Sequence, residues 1–200
     1  ALTEANAHSV AAICTRLDGL PLAIELISAR IKLLSPAALL ERMSGRLLLR
    51  SDGLSDLEPR HRTLNSAIEW SYQLLRVEEQ TLFRRLGIFV GGWTLDAAEA
   101  VCLENLSLNL LDGMASLMDK SLIKQTTSLP GEPRFMMLET IRQYALEHLV
   151  ASAELDNIRQ RHLGFFVKLA EGAEAHAFGD EQIVWFDRLE VEFDNVRAAL

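Results

Sequence analysis

The feature that most constrains this chain is a two-stranded pattern set between helices, running from Leu117 to Leu149. Leu122, Ile123, Lys124 and Gln125 form a short β-capable run. Leu129-Pro130-Gly131-Glu132-Pro133 reads as a turn, because Pro fixes φ and Gly permits positive φ. Arg134 to Leu138 reads as the returning strand, and Glu139 to Leu149 then places Ile141, Tyr144, Ala145, His148 and Leu149 on one helical face. A lone hairpin is marginal in water, so this one must lean on the helices beside it.

The chain before the hairpin supplies those helices. Val10, Ile13, Cys14 and Leu17 recur at helical spacing, and Asp18-Gly19 stops that helix. Pro21 starts the next at a position where a missing N–H costs nothing, and Leu22 to Leu34 is apolar almost all round. Ser35-Pro36 caps a third helix through about Met43, ended by Gly45. Ser51 to Pro59 is a polar linker and a domain boundary. Thr63 or Asn65 opens a helix carrying Leu64, Ile68, Tyr72 and Leu75, and Glu78 to Leu86 forms the next. Gly87-Ile88-Phe89-Val90 is a short apolar run before a Gly91-Gly92 turn. Thr94 caps a helix lined by Leu95, Ala98 and Val101, and Leu106 to Met118 is the last helix before the hairpin. The order helix, helix, short strand, helix, helix, hairpin, helix predicts a winged helix-turn-helix. Beyond it, Leu155 to Ala173 and then Trp185, Leu189, Phe193, Val196 and Leu200 mark two further helices. The expected fold is therefore mainly α: a small helical bundle over 1–50, a winged helix over 51–150 and an α-helical hairpin over 151–200.

Composition narrows the chemistry. Hydrophobic residues make up 49% and charged residues 24%, which suits packed cores rather than disorder. A net charge of −8 repels nucleic-acid phosphates. Cys14 and Cys102 sit far apart in helical patterns, with no CxxC and no His cluster, so they read as buried small hydrophobes rather than metal ligands. No signal peptide or membrane span is legible, and a cytoplasmic location is expected. The chain starts without Met and stops inside a helical pattern, as a piece of a larger protein would.

Catalytic motifs are absent from the sequence. There is no GxxxxGK[ST], GxSxG, HExxH or GxGxxG; Gly91-Gly92 is followed by Trp93-Thr94, with no Lys to reach a phosphate. No enzymatic activity is expected of this fragment. Direct DNA reading is also disfavoured. The expected recognition helix, Leu106 to Met118, contains Asp112 and no Arg or Lys, leaving Asn109 as its one base-contacting side chain, and the wing offers only Lys120, Lys124 and Arg134. An intramolecular packing role fits these residues better.

Gly19-Leu20-Pro21-Leu22-Ala23 resembles the GLPLA motif that ends the nucleotide-binding core of STAND-class signalling ATPases of the NB-ARC type. Arg60 to Leu64, Trp70-Ser71-Tyr72, Leu82 to Leu86, Phe89 to Trp93, Arg134 to Ala145, Leu189-Glu190 and Asn195 to Leu200 are similar, in order, to the winged-helix segment of the bacterial members. Those relatives are multidomain transcription regulators, the LuxR type among them. The resemblance implies a regulatory fragment that relays ADP/ATP state, with Mg, between a P-loop domain before Ala1 and tetratricopeptide-like repeats after Leu200. It implies that Leu20 and Pro21 lie on the adenine side. It also implies that Leu138 and Glu139 occupy the sensor slot that holds Met-His-Asp in plant and animal relatives; Leu138 offers no hydrogen bond where the family's His donates one. No cofactor is expected in the fragment itself. DNA would be bound only through another domain, no membrane would be involved, and activation would bring oligomers. Two other readings stay open: a DNA-binding winged-helix regulator, and a helical-repeat adaptor for a protein or peptide.

Overall fold

The computed structural model describes residues 2–46, 59–129 and 132–200. Ser51 to Glu58, most of the expected linker, and Pro130-Gly131 at the hairpin turn lie outside the described residues. The chain divides into two compact units: Ala1–Leu75 with Asp119–Leu122, and Arg76–Met118 with Ile123–Leu200.

The first unit is helical. Helix α1 (Glu4–Arg16) opens with a capping box between Thr3 and Asn6, in which the Thr3 N–H donates to Asn6 Oδ1 at 2.9 Å. It closes through Asp18 and Gly19, both at positive φ, with the Gly19 N–H donating back to the Cys14 carbonyl. Helix α2 (Pro21–Ser28) has Pro at its first turn. The sequence reads one helix through Leu34, but α-helical geometry ends at Ser28 and a 3-10 turn takes over at Ala29–Lys32. Ser28 Oγ donates to the Glu25 carbonyl at 2.9 Å at that point, a local bond that competes with the helical ladder. Helix α3 (Pro36–Arg46) is capped by Ser35, whose Oγ accepts from the Ala38 N–H. Helix α4 (Pro59–Gln73) begins earlier than the expected Thr63 or Asn65, because Pro59 can occupy the first turn. Thr63 instead donates its hydroxyl to Asp18 Oδ2 at 2.6 Å. Helix α1 packs on α3 and α2 on α4, around Leu17, Ala23, Leu26, Ile27, Leu39, Met43 and Ile68.

The second unit holds helices α5 (Val77–Leu86), α6 (Leu95–Cys102), α7 (Leu110–Asp119) and α8 (Glu139–Ala151), then α9 (Leu155–Ala175), α10 (Gln182–Val191) and α11 (Phe193–Ala199). Strands β1 (Trp93–Thr94), β2 (Lys124–Leu129) and β3 (Glu132–Met136) form an antiparallel sheet in the order β1-β3-β2. The short strand thus follows Gly91-Gly92 rather than preceding it. Residues 87–89 spend their N–H groups on i−3 carbonyls as α5 unwinds, and so have none left for a ladder. Gly92 cannot be replaced cheaply: φ is +98°, and a Cβ there would lie 2.5 Å from the Phe135 carbonyl oxygen on β3. Helices α5 and α8 also approach closely, since a Cβ on Gly87 would stand 2.9 Å from that of Ala145.

Helix α9 packs on α6, α10 and α11. Phe89 stacks on Trp93 at 5.6 Å and meets Phe166 edge-on at 6.4 Å, with His162 tilted against both phenyl rings. Phe89, Trp93 and Phe166 are each 1% exposed. Burial of a ring this size stabilises by roughly 2–3 kcal/mol, so this cluster fastens the C-terminal helices to the winged helix.

Candidate functional site

A winged helix reads DNA through the helix before its hairpin and through the hairpin itself, so these surfaces are the first candidates. Helix α7 starts at Leu110, four residues later than the sequence pattern suggests. Asn109 is the reason: its Oδ1 accepts the Asp112 N–H at 3.1 Å and caps the helix. The one side chain fitted for a base edge is therefore engaged with its own helix. The exposed positions of α7 include Leu111, Asp112, Ala115, Met118 and Asp119, and no Arg or Lys stands on the helix. An apolar and acidic face offers nothing to a phosphate.

The wing's central cation is not on the surface. Arg134 of β3 is 3% exposed. Its Nη1 donates to Glu192 Oε1 at 2.5 Å and its Nη2 to Glu192 Oε2 at 3.1 Å, a bidentate pair at the junction of α10 and α11. Nε donates to the Gly91 carbonyl, and Nη2 also reaches the carbonyls of Gly91, Gly92 and Val191. Asn195 completes the network: Nδ2 donates to Glu192 Oε2 at 2.7 Å and to the Gly92 carbonyl at 2.8 Å, while Oδ1 accepts the Val90 N–H at 2.7 Å. A sequence reading places Arg134 on a solvated wing and runs a single helix through Trp185 and Leu200. The helix instead breaks at Glu192, the residue that pairs with Arg134. Partners 58 residues apart give no local signal of this bond.

A second ionic joint works the same way. Arg85 Nη1 donates to the carbonyls of Cys102 and Glu104, capping the C-terminus of α6, while Arg85 Nη2 and Arg84 Nε hold Glu154 at 2.6 and 2.8 Å. Burial pushes the Glu154 carboxyl up, but the hydrogen bonds from Arg85 and Arg84 outweigh it and hold the group below the usual carboxylate range. His162 is lowered by burial, partly offset by a hydrogen bond with Asn195 and the charge of Glu192. Burial pushes the Cys102 thiol up to about 12 against the nearby charges of Arg85 and Arg161, so it is an inert core residue. Among the described residues no cluster of His, Cys, Asp and Glu could hold a metal ion, and no helix is long and apolar enough to cross a membrane.

The residues assigned to a nucleotide by resemblance fall in both units. Leu20 and Pro21 form the N-cap and first position of α2 in the first unit, with Pro21 exposed. Leu138 and Glu139 hold the same positions on α8 in the second. Glu139 accepts from Arg142 Nε and Nη2, both at 2.8 Å, and from Gln143 at 3.1 Å; the bond to Arg142 holds its carboxyl below the usual range. Arg142 Nη1 in turn donates to the Gly87 carbonyl at 3.2 Å. Glu139 thus aims a guanidinium at the end of α5.

Residues 75–150 match the family model described as a winged helix-turn-helix domain. Over 196 residues, 97% of its length, the chain is 41% identical to a Mycobacterium tuberculosis H37Rv protein provisionally named as an HTH-type transcriptional regulator; a Mycobacterium bovis protein with the same provisional description matches equally. The chain spans 22% of the length of those proteins. It is also 36% identical over 165 residues to an uncharacterized M. tuberculosis protein, covering 81% of this chain and 42% of that one. With the β1-β3-β2 sheet and the helices around it, these likenesses give the chain a winged helix-turn-helix domain at residues 75–150, and homology along nearly all its length to segments of proteins provisionally named as HTH-type transcriptional regulators.

Proposed function

We propose that this chain is a regulatory segment of a larger transcription regulator, and that its winged helix is an internal docking module rather than a DNA reader. The observation that carries this reading is the burial of Arg134, the wing's central cation, in a bidentate pair with Glu192. That pair commits the wing to the helices that follow. The resemblance to NB-ARC-type STAND ATPases extends the proposal. A P-loop domain elsewhere in the full protein binds ADP or ATP with Mg, Leu20 and Pro21 lie on its adenine side, and Leu138-Glu139 reports nucleotide state. The 151–200 helices pass that state to tetratricopeptide-like repeats. Division into 1–50, 51–150 and 151–200, a cytoplasmic location and oligomerisation on activation belong to the same proposal. The chain's own residues perform no catalysis in it. They bind, orient and relay, with the Glu139–Arg142 pair linking the start of α8 to the end of α5.

The test is ADP dissociation from the full-length protein. Glu139→Ala is expected to speed release more than Leu138→Ala, because only Glu139 orients Arg142. Unchanged off-rates in two well-folded variants would remove the sensor role. A second reading, direct DNA binding, draws on the domain match and on the provisional names of the relatives. Titration of this chain with a mixed-sequence duplex at several salt concentrations separates the two. Tight binding that weakens steeply with salt favours the DNA reader; no binding at low salt favours the docking module.

A further inference from the structure

A cavity of about 300 Å³ opens in the first unit, lined by Arg30, Leu33, Leu34, Arg42, Trp70 and Leu74. Arg30 stands on the 3-10 turn after α2 and is 5% exposed, yet its Nε and Nη2 are buried without a hydrogen-bond partner. Buried charged groups are normally paired, and one left without a partner calls for an explanation, most often an ion or water that belongs there. Among the described residues no carboxylate lines the cavity to supply a counter-charge. Burial lowers the Arg30 guanidinium from its ordinary range, as expected of a cation with no anion beside it.

The two unpartnered nitrogens share one edge of the guanidinium. That edge matches a carboxylate through two parallel hydrogen bonds. Arg42 adds a second cation at the same cavity, while Trp70, Leu33, Leu34 and Leu74 give it apolar walls, one of them flat. A few convergent polar groups in an otherwise apolar cleft are the ordinary make-up of a small-molecule site, and this volume lies at the small end of such sites. We propose that this cavity binds a small organic carboxylate with a flat apolar body: Arg30 and Arg42 take the carboxylate, and Trp70 and the leucines take the body. Nε and Nη2 of Arg30 are buried in this conformation, so the bidentate pair requires the guanidinium to rotate toward the cavity. The inference does not depend on the nucleotide reading, since none of the described lining residues is among Leu20, Pro21, Leu138 and Glu139.

The experiment is a titration of the 200-residue chain with benzoate and salicylate, and with benzamide and salicylamide as neutral isosteres, by calorimetry and amide NMR. Both carboxylates are expected to saturate and to shift Leu33, Leu74 and the Trp70 indole, with the amides weaker by about 10-fold or more. Arg30→Met is expected to lose about 10-fold or more in carboxylate affinity while melting no lower than the parent, because it removes a buried charge that nothing pairs. Leu74→Trp fills the cavity, leaves Arg30 in place and should abolish binding with helix content unchanged. The proposal is overturned if no carboxylate saturates below about 10 mM, if the amides bind as well, if inorganic phosphate competes as well as benzoate, or if either variant binds like the parent.

Discussion

Arg30 in the first unit and Arg134 in the second are both at most 5% exposed, and their surroundings are opposite. Arg134 meets a carboxylate bidentately and the carbonyls of three residues, so its charge and its donors are nearly all answered inside the fold. Arg30 leaves two donors unanswered beside a cavity. Taking a guanidinium out of water costs the same kind of desolvation in both places. In the second unit the cost is offset by a network that joins the wing to α10 and α11. In the first it is left standing, which is how a binding site differs from a structural joint. The polar atoms of one are satisfied by the chain, and the proposed site assigns those of the other to a ligand.

The contrast breaks or holds at particular side chains. Arg134→Ala should cost about 3–5 kcal/mol, because it strands Glu192 as a buried unpaired charge. Replacing both partners, Arg134→Met with Glu192→Leu, should recover at least half of that. Chemical denaturation of the three proteins measures it, and a double variant no better than the single would mean that the carbonyl contacts matter more than the ion pair. Gly92→Ala attacks the same joint through the backbone. Positive φ and the close Phe135 carbonyl together should cost about 3 kcal/mol, read from the same denaturation curves. A loss below about 1 kcal/mol would show that the turn relaxes freely.

A smaller effect is expected from His162. Its folded pKa lies below the ordinary 6.5 because burial disfavours the charged form. The unfolded chain therefore binds the proton first as pH falls. The stabilising contribution is fully present above about 6.5, is lost progressively as pH drops from there through the folded pKa, and does not change further below it. Thermal melts from about pH 8 to about pH 5 should show this decline, and His162→Phe should flatten it. An equal decline in the variant would place the titrating group elsewhere. The smallest change belongs to the other side of the comparison. Arg30→Met, with no ligand added, should leave stability within about 1 kcal/mol of the parent or raise it. A loss as large as that of Arg134→Ala would show that Arg30 too is a structural joint.

Much of the fold is written locally. Pro21, Ser35-Pro36, Asp18-Gly19 and Thr94 start or stop helices by rules that need only neighbouring residues, and each does so in the structure. Thr94 Oγ1 accepts the Ala97 N–H at 3.2 Å, as its place before Leu95 implies. The amphipathic α8 follows equally from its period, and a hairpin stands where one is expected, but its strands are displaced. Strand β2 begins after Leu122-Ile123, Leu129, Glu132 and Pro133 are paired rather than part of the turn, and Leu138 caps α8 instead of ending β3. Three features were not legible. Asn109 competes as a cap with other polar residues nearby, and only the packed helix decides between them. The apolar run at 87–90 has strand composition, but the N–H groups of 87–89 are already taken by the end of α5 and that of Val90 by Asn195 Oδ1. Helix α10 ends at Val191 for no reason that its own residues supply, because Glu192 is needed by Arg134. Of the nucleotide-side candidates, the sequence places Pro21 and Glu139 at helix starts; the Arg142 guanidinium that Glu139 aims at the Gly87 carbonyl comes from tertiary contact.

The sequence by itself determined where the helices begin, which faces they bury and that a hairpin stands among them, because these depend on dihedral preferences and on periods of two and 3.6 residues. Only the tertiary structure decided what the charged side chains do. Whether a guanidinium lies on a surface, in a closed ion pair or beside a cavity depends on groups tens of residues away and on the water excluded between them. Arg30 and Arg134 carry the same side chain, and long-range packing alone made one a joint and left the other unpaired.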